Sequence, residues 1–243
     1  GIFAQGYAGG SNRLNMSNLV TSSGVIGSDV TGVGTVRMNA GAASYGYDKA
    51  IFAFGDSGSA TNISNLVNSS GVMQNDTTGV GTARQPKAAE YGNTLAVFYG
   101  GTGGISNKVS SSGVVATDTS GVGTARSYLA GVRYGGDKAV FAYGGGNGAE
   151  LNVKNLVSNT GVVSADATGV GTARYGLSAA AYGGDKGAFA YGSTGSSSYV
   201  SLKNLVSNTG EIAADVTGVG TPRNNLAACS YGGDKGVFAY GGN

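Results

Sequence analysis

Thr168-Gly169-Val170-Gly171-Thr172-Ala173-Arg174 recurs, with small changes, at Thr31–Arg37, Thr78–Arg84, Ser120–Arg126 and Thr217–Arg223. Measured arginine to arginine, the steps are 47, 42, 48 and 49 residues (37 to 84, 84 to 126, 126 to 174, 174 to 223). A period of this size marks a supersecondary unit that cannot bury its apolar face alone and must stack on its neighbours. The repeat runs from residue 1 to residue 243 with no linker of different composition. The chain therefore reads as a single domain of five repeats, each about 42–49 residues long.

The fourth copy shows what one period builds. Leu177–Tyr182 is a run of small and apolar residues, followed by Gly183-Gly184-Asp185-Lys186 and then Gly187–Gly192. Glycine and aspartate between two such runs signal a hairpin. Phe189 and Tyr191 share one face of the second run by the period of two. A variable loop leads to Leu202–Ser207, the turn Asn208-Thr209-Gly210, and Glu211–Val216. Each period thus predicts four short antiparallel strands.

Four strands every 40 to 50 residues is the pattern of a β-propeller blade. First strands are slim: Ala42-Ala43-Ser44, Ala88-Ala89, Ala179-Ala180-Ala181 and Ala227-Ala228-Cys229. Strands converging on a central axis have no room for large side chains. Phe52, Phe98, Phe141, Phe189 and Phe238 on the second strand, with Leu66, Leu156 and Leu205 on the third, are expected to fill the space between blades. The predicted fold is all-β: a five-bladed β-propeller of four-stranded antiparallel blades, its ring closed by N- and C-terminal strands. In that closure Leu226–Tyr231 completes the blade begun at the N-terminus. Second-strand segments number six, however, from Ile2–Tyr7 to Gly236–Tyr240, so one copy is surplus. The surplus copy is expected either to compete at the closure point or to mark the chain as part of a longer array.

Arg174, the small strand ending in Tyr182-Gly183-Gly184, and the aromatic strands ending at Gly100-Gly101 and Gly144-Gly145 resemble the kelch repeat. The likeness covers the whole chain and departs in one respect: there is no tryptophan, which kelch repeats usually carry on the fourth strand. The wording Asn155–Gly161 through Gly169–Arg174 is also similar to repeats in tailed-bacteriophage virion proteins, particularly of the fibre and adhesin type. The resemblance implies a virion or extracellular-surface location and partners among other virion or appendage proteins.

Glycine supplies 47 of 243 residues, against a usual ~7%. Two prolines and no G-X-Y period exclude collagen. Charged residues are 12% of the chain, with 15 Lys+Arg against 13 Asp+Glu, where ~25% is usual. No basic stripe suits nucleic acid, and no apolar run approaches the ~20 residues that span a bilayer. Neither nucleic acid nor membrane insertion is expected. The one cysteine, Cys229, excludes an internal disulfide and stands where the preceding repeat has Ala180, so it is read as a small buried hydrophobe. The chain begins at Gly1, directly in repeat-like sequence, so either its true start is expected to have been removed or the chain is expected to be a piece of a longer polypeptide.

Asp29, Asp76, Asp118, Asp166 and Asp215 each lie eight residues before a repeat arginine: Arg37, Arg84, Arg126, Arg174 and Arg223. They are read as structural Asp–Arg pairs bracing the loop between blades, with the arginine donating to backbone carbonyls in a glycine-rich corner, rather than as a ring of acidic groups binding a cation or a polar ligand. Asp48-Lys49, Asp137-Lys138, Asp185-Lys186 and Asp234-Lys235 are read as turn chemistry. No metal site or cofactor is expected, because no loop gathers the several carboxylates calcium needs. With no histidine there is no imidazole base or triad, and the chain is expected not to be an enzyme.

The connections between second and third strands differ from copy to copy: Ala8–Leu14, Gly55–Asn62, Gly100–Asn107, Gly144–Asn152 and Gly192–Val200. Arg13, Asp56, Glu150 and Tyr199 in them have no counterparts in other repeats, and variable loops on a rigid scaffold carry recognition. With the Thr-Gly-Val-Gly-Thr loops, expected on the same face, they form the candidate binding surface. The expected function is a non-enzymatic structural or adhesive protein, a propeller of a phage virion or tail fibre that mediates attachment or assembly. The alternative is a lectin-like propeller binding cell-surface glycans at several equivalent pockets, with Tyr143, Tyr191 and Tyr240 stacking on sugars.

Overall fold

The computed structural model describes residues 1–9, 12–146 and 148–243, and among them there is no helix. The strands are β1 (Ile2–Tyr7), β2 (Arg13–Leu19), β3 (Gly41–Tyr45), β4 (Lys49–Ala53), β5 (Ser64–Val67), β6 (Lys87–Tyr91), β7 (Leu95–Tyr99), β8 (Ser106–Val109) and β9 (Ala130–Tyr134). They continue with β10 (Lys138–Ala142), β11 (Gly145–Gly146), β12 (Ala149–Glu150), β13 (Lys154–Val157), β14 (Ser178–Tyr182), β15 (Lys186–Ala190), β16 (Lys203–Val206), β17 (Ala227–Tyr231) and β18 (Lys235–Ala239). Six antiparallel sheets follow one another along the chain, numbered here 1 to 6: β1-β2, β3-β4-β5, β6-β7-β8, β9-β10-β13, β14-β15-β16 and β17-β18. β11 and β12 form a separate two-stranded ribbon.

Each of sheets 2 to 6 opens on the expected hairpin. In sheet 5, Tyr182 faces Lys186 across a turn whose first two residues, Gly183 and Gly184, have φ of +61° and +81°. Only glycine adopts that backbone freely. The second strand is central in each three-stranded sheet, and Phe98, Phe141 and Phe189 on it are fully buried. Burying each such ring is worth roughly 1.5–3 kcal/mol.

The expected fourth strand is a segment held by two isolated bridges, Ser64↔Thr77 and Val67↔Met73 in sheet 2, with equivalents in sheets 1 and 3 to 5. Three steps separate Ser64 from Val67 but four separate Met73 from Thr77, so the register slips by one residue, as in a bulge. The buried Asn65 side chain fills the break, its Nδ2 donating to the Gln74 carbonyl at 3.0 Å. The extra residue interrupts the ladder, which is why the continuous sheets have three strands rather than four.

Five of the six steps between sheets are made by the same kind of ring contact. A ring at the end of one second strand packs on the second-strand Phe of the next sheet: Phe54 on Phe98, Tyr99 on Phe141, Tyr143 on Phe189 and Tyr191 on Phe238. The next pair in this order is Tyr240 on Phe3, with centroids 5.4 Å apart, which joins sheet 6 to sheet 1. Ile2 and Ala4 of sheet 1 pack in turn against the cluster of Phe52, Val67 and Met73 in sheet 2. The run of contacts therefore returns to its start. The slim first strands β3, β6, β9, β14 and β17 line one cavity of about 880 Å³, with Gly1 and Ile2 beside them.

The chain ends do not share a sheet, contrary to the expectation. Leu226 lies outside a strand, β17 pairs with β18, and β1 pairs with β2. Each copy of the second strand nucleates its own sheet, so the surplus copy becomes a sixth sheet position rather than a competitor for the first. Cys229 lines the cavity and is half-buried rather than buried.

Candidate functional site

The Thr-Gly-Val-Gly-Thr-x-Arg segment is the joint between one sheet and the next. At the joint between sheets 3 and 4, Arg126 is buried, with Nε donating to the Tyr143 carbonyl at 2.8 Å and Nη2 to Asn155 Oδ1. Its Nη1 lies 3.5 Å from Asp166. Asp166 Oδ2 accepts from the backbone N–H of Thr124 at 2.8 Å and from its hydroxyl at 2.7 Å. Asn155 Nδ2 completes the cluster by donating to Asp166 Oδ1 at 2.9 Å. The constellation recurs in full at Arg84–Asp118 and Arg174–Asp215, and at Arg37–Asp76 without the Nε bond.

The pairing therefore crosses repeats. Arg37 meets Asp76 rather than Asp29, Arg84 meets Asp118, Arg126 meets Asp166 and Arg174 meets Asp215. The expected partner eight residues upstream sits across its own sheet's third strand, facing the preceding loop. Among the described residues Asp29 accepts from Asn18 Nδ2, at 2.8 Å. Arg223 reaches the Phe238 carbonyl at 3.4 Å and stacks on the Tyr191 ring. Neither forms an ion pair among the described residues.

Arg84, Arg126 and Arg174 also lie over the rings of Phe54, Tyr99 and Tyr143. Burial lowers Arg37 and Arg84 to about 10, against the opposing pull of Asp76 and Asp118. They remain cationic at neutral pH. Burial pushes the carboxyls of Asp76, Asp118, Asp166 and Asp215 up, but hydrogen bonds from Thr and Asn, aided by the arginine, outweigh it and hold them below 3.8. These charges are spent on one another. The buried asparagines Asn65, Asn107, Asn155 and Asn204, each eleven residues before the partner aspartate, complete the joint. Their fixed spacing was the available signal, but sequence reasoning attended to charge and missed them.

The variable loops lie against the Gly-Val-Gly loops of their own sheets, which places both on one face. Asn62 Nδ2 donates to the Gly81 carbonyl at 2.8 Å, and Asn15 and Asn152 do the same at Gly34 and Gly171. A Cβ on Gly79 or Gly169 would overlap the carbonyl of Asn62 or Asn152, so the first glycine of each loop is obligatory. The tip valines Val33, Val80, Val122, Val170 and Val219 all remain exposed.

Two of the four candidate recognition residues engage each other. Arg13 Nη2 lies 2.7 Å from Asp56 Oδ1 and its Nε donates to the Asp56 carbonyl, joining the loops of sheets 1 and 2. Asp56 also accepts from the Gly58 N–H at 2.9 Å. Glu150 stands on β12 opposite Gly145, and Tyr199 bridges to Ser193; both are half-buried. The structure does not bring these two to the Arg13–Asp56 pair. Gly10 and Ser11 of the first variable loop, and Asn147 of the fourth, lie outside the described residues. Of the tyrosines considered for stacking on sugars, Tyr143 is fully buried and its hydroxyl donates to the Val170 carbonyl, whereas Tyr240 is half-exposed.

In the cavity the ionisable side chains of the five first strands that line it are Glu90, Arg133 and Cys229. Burial raises the Glu90 carboxyl, opposed by Arg133, and burial raises the Cys229 thiol. Among the described residues no three of His, Cys, Asp and Glu come together as metal ligands. No protein-family model and no curated protein sequence matches the chain.

Proposed function

We propose that the chain is a kelch-like β-propeller, its sheets standing radially about the central cavity, and that it serves as a non-enzymatic scaffold presenting one loop face for attachment or assembly. The cyclic run of equivalent contacts and the cavity lined by five slim strands support the propeller reading. The observation that carries the functional reading is the consumption of charge inside the joints. Four of the five repeat arginines and four of the five repeat aspartates serve to lock one sheet to the next. What faces outward is backbone, threonine and valine at the loop tips, a surface for contact rather than for acid–base chemistry. The likeness of the repeat to those of phage fibre and adhesin proteins supports a virion or extracellular-surface setting, with other appendage proteins as partners.

Ring closure is tested with a short amine-to-thiol crosslinker, since Gly1 abuts Cys229. Glycan-array binding tests the function. A contact scaffold gives no saturable multi-site sugar binding, whereas several equivalent sites per chain would replace this reading with the lectin one.

A further inference from the structure

Sheets 1 and 6 each present an unpaired strand edge, and the two edges belong together. Among the described residues β1 pairs only with β2, so its inner edge, where sheets 2 to 5 carry a first strand, is open. β18 pairs only with β17, so its outer edge, where the other sheets carry a third strand, is open as well. Followed along the repeat, the third strand, the bridged segment, the Gly-Val-Gly loop and the next first strand form one contiguous stretch. We propose that these edges are a docking surface for one further repeat segment of that order, a polypeptide carrying Asn-Leu-Val, an aspartate, Thr-Gly-Val-Gly-Thr-x-Arg and a small-residue strand ending in tyrosine. The proposal rests on the propeller reading.

Among the described residues, the side chains that such a segment engages elsewhere lack those partners at this place. Asp29 has no loop threonine, although Asp76, Asp118, Asp166 and Asp215 each hold one. Arg223 meets no asparagine, although Arg37, Arg84, Arg126 and Arg174 each do. Tyr45, Tyr91, Tyr134 and Tyr231 each cover a turn glycine of the following sheet, at Gly113, Gly161, Gly210 and Gly24. Tyr182 covers none, and Gly71 meets Leu19 instead of a tyrosine ring. The positions left over are thus those that this stretch satisfies in the other sheets: Arg223 and Tyr182 beside β18, Asp29 and Gly71 beside β1. Strand addition gives such docking its backbone hydrogen bonds, and these side chains give it register.

The test is titration of the full chain with a labelled synthetic peptide of the sequence of residues 149–186, which contains all these elements. One peptide per chain is expected, with a rise in melting temperature of about 5–10 °C at a hundredfold excess over the dissociation constant. Asp29→Ala is expected to weaken binding at least about tenfold, the cost of one charge-assisted hydrogen-bond set, while leaving the free chain's melting temperature nearly unchanged. A scrambled peptide that binds as well, or indifference to Asp29→Ala, overturns the inference, as does a dimer of the chain that the peptide does not dissociate. Absence of binding in a chain that still forms the Gly1–Cys229 crosslink overturns the docking surface alone. Absence of both overturns the propeller reading with it.

Discussion

Replacing Asp166 by alanine isolates what the joint contributes, because the same residue type at position 29 lacks the joint. Asp166→Ala removes two hydrogen bonds to Thr124, one from Asn155 and the counter-charge of Arg126. The Thr124 groups are exposed and water replaces the carboxylate there, so those bonds cost roughly 0.5–1.5 kcal/mol each at most. Asn155 Nδ2 keeps the Ser164 carbonyl at 3.0 Å. Arg126 dominates: its side chain is 0% exposed. Stripping a buried charge of its partner costs about 3–5 kcal/mol. Asp166 is itself 25% exposed, so screening reduces that figure. The sum is a loss of about 3 kcal/mol, or about 6–12 °C in melting temperature for a chain of this size. Asp29→Ala gives up a single exposed bond from Asn18, worth no more than about 0.5–1 kcal/mol. Urea denaturation followed by circular dichroism measures both. Equal losses for the two variants would refute the assignment of the aspartates to inter-repeat joints.

Gly123 and Gly220 have almost the same φ, +81° and +82°, but a Cβ on Gly123 would overlap Asp166 Oδ1 whereas on Gly220 the nearest atom is 3.6 Å away. Gly220→Ala is therefore expected to cost about 1–2 kcal/mol of backbone strain, and Gly123→Ala clearly more, by thermal melts of the two proteins; similar costs would mean the joint yields freely. Stability is also expected to fall in acid. The carboxyls of Asp76, Asp118, Asp166 and Asp215 lie below 3.8 in the folded chain, so the unfolded chain binds protons first. Their contribution is complete above that ordinary value and is lost as pH drops through the lowered folded values. Melting temperature measured across this range should decline steeply in the parent chain and less steeply in Asp166→Ala.

The hairpins and the slim first strands are legible in the sequence because each depends on neighbours a few residues apart, and the repeat period because its copies recur nearly unchanged. Tyr182, Gly183, Gly184 and Lys186 sit as their residue types require. The partner of each arginine was not legible, because the contact skips from one repeat to the next. Eight residues of sequence separation suggested Asp29 for Arg37, whereas the fold delivers Asp76 across 39 residues. The interrupted fourth strand was equally hidden: the residues have strand character, and only the side chain of Asn65, lying in the break, reveals why the ladder stops. Candidate recognition residues fared unevenly for the same reason. Arg13 and Asp56 were chosen as unmatched charges, and their lack of counterparts reflects a private joint between two loops rather than a free surface.

A residue copied in every repeat serves the joint, since every joint must close. A residue unique to one repeat has two possible employments, as a site or as a local repair of an imperfect joint. The first joint is imperfect: Gln5 stands where Phe54, Tyr143 and Tyr191 stand in other sheets, and Arg37 keeps Nε and Nη1 without hydrogen bonds. Arg13 and Asp56 bind the first two variable loops together beside that same joint. Their pairing ties the loops of sheets 1 and 2 beside the joint that lacks a ring contact. Glu150 and Tyr199 form no ion pair among the described residues and stand on loops whose joints are complete, so the joints do not use their side chains.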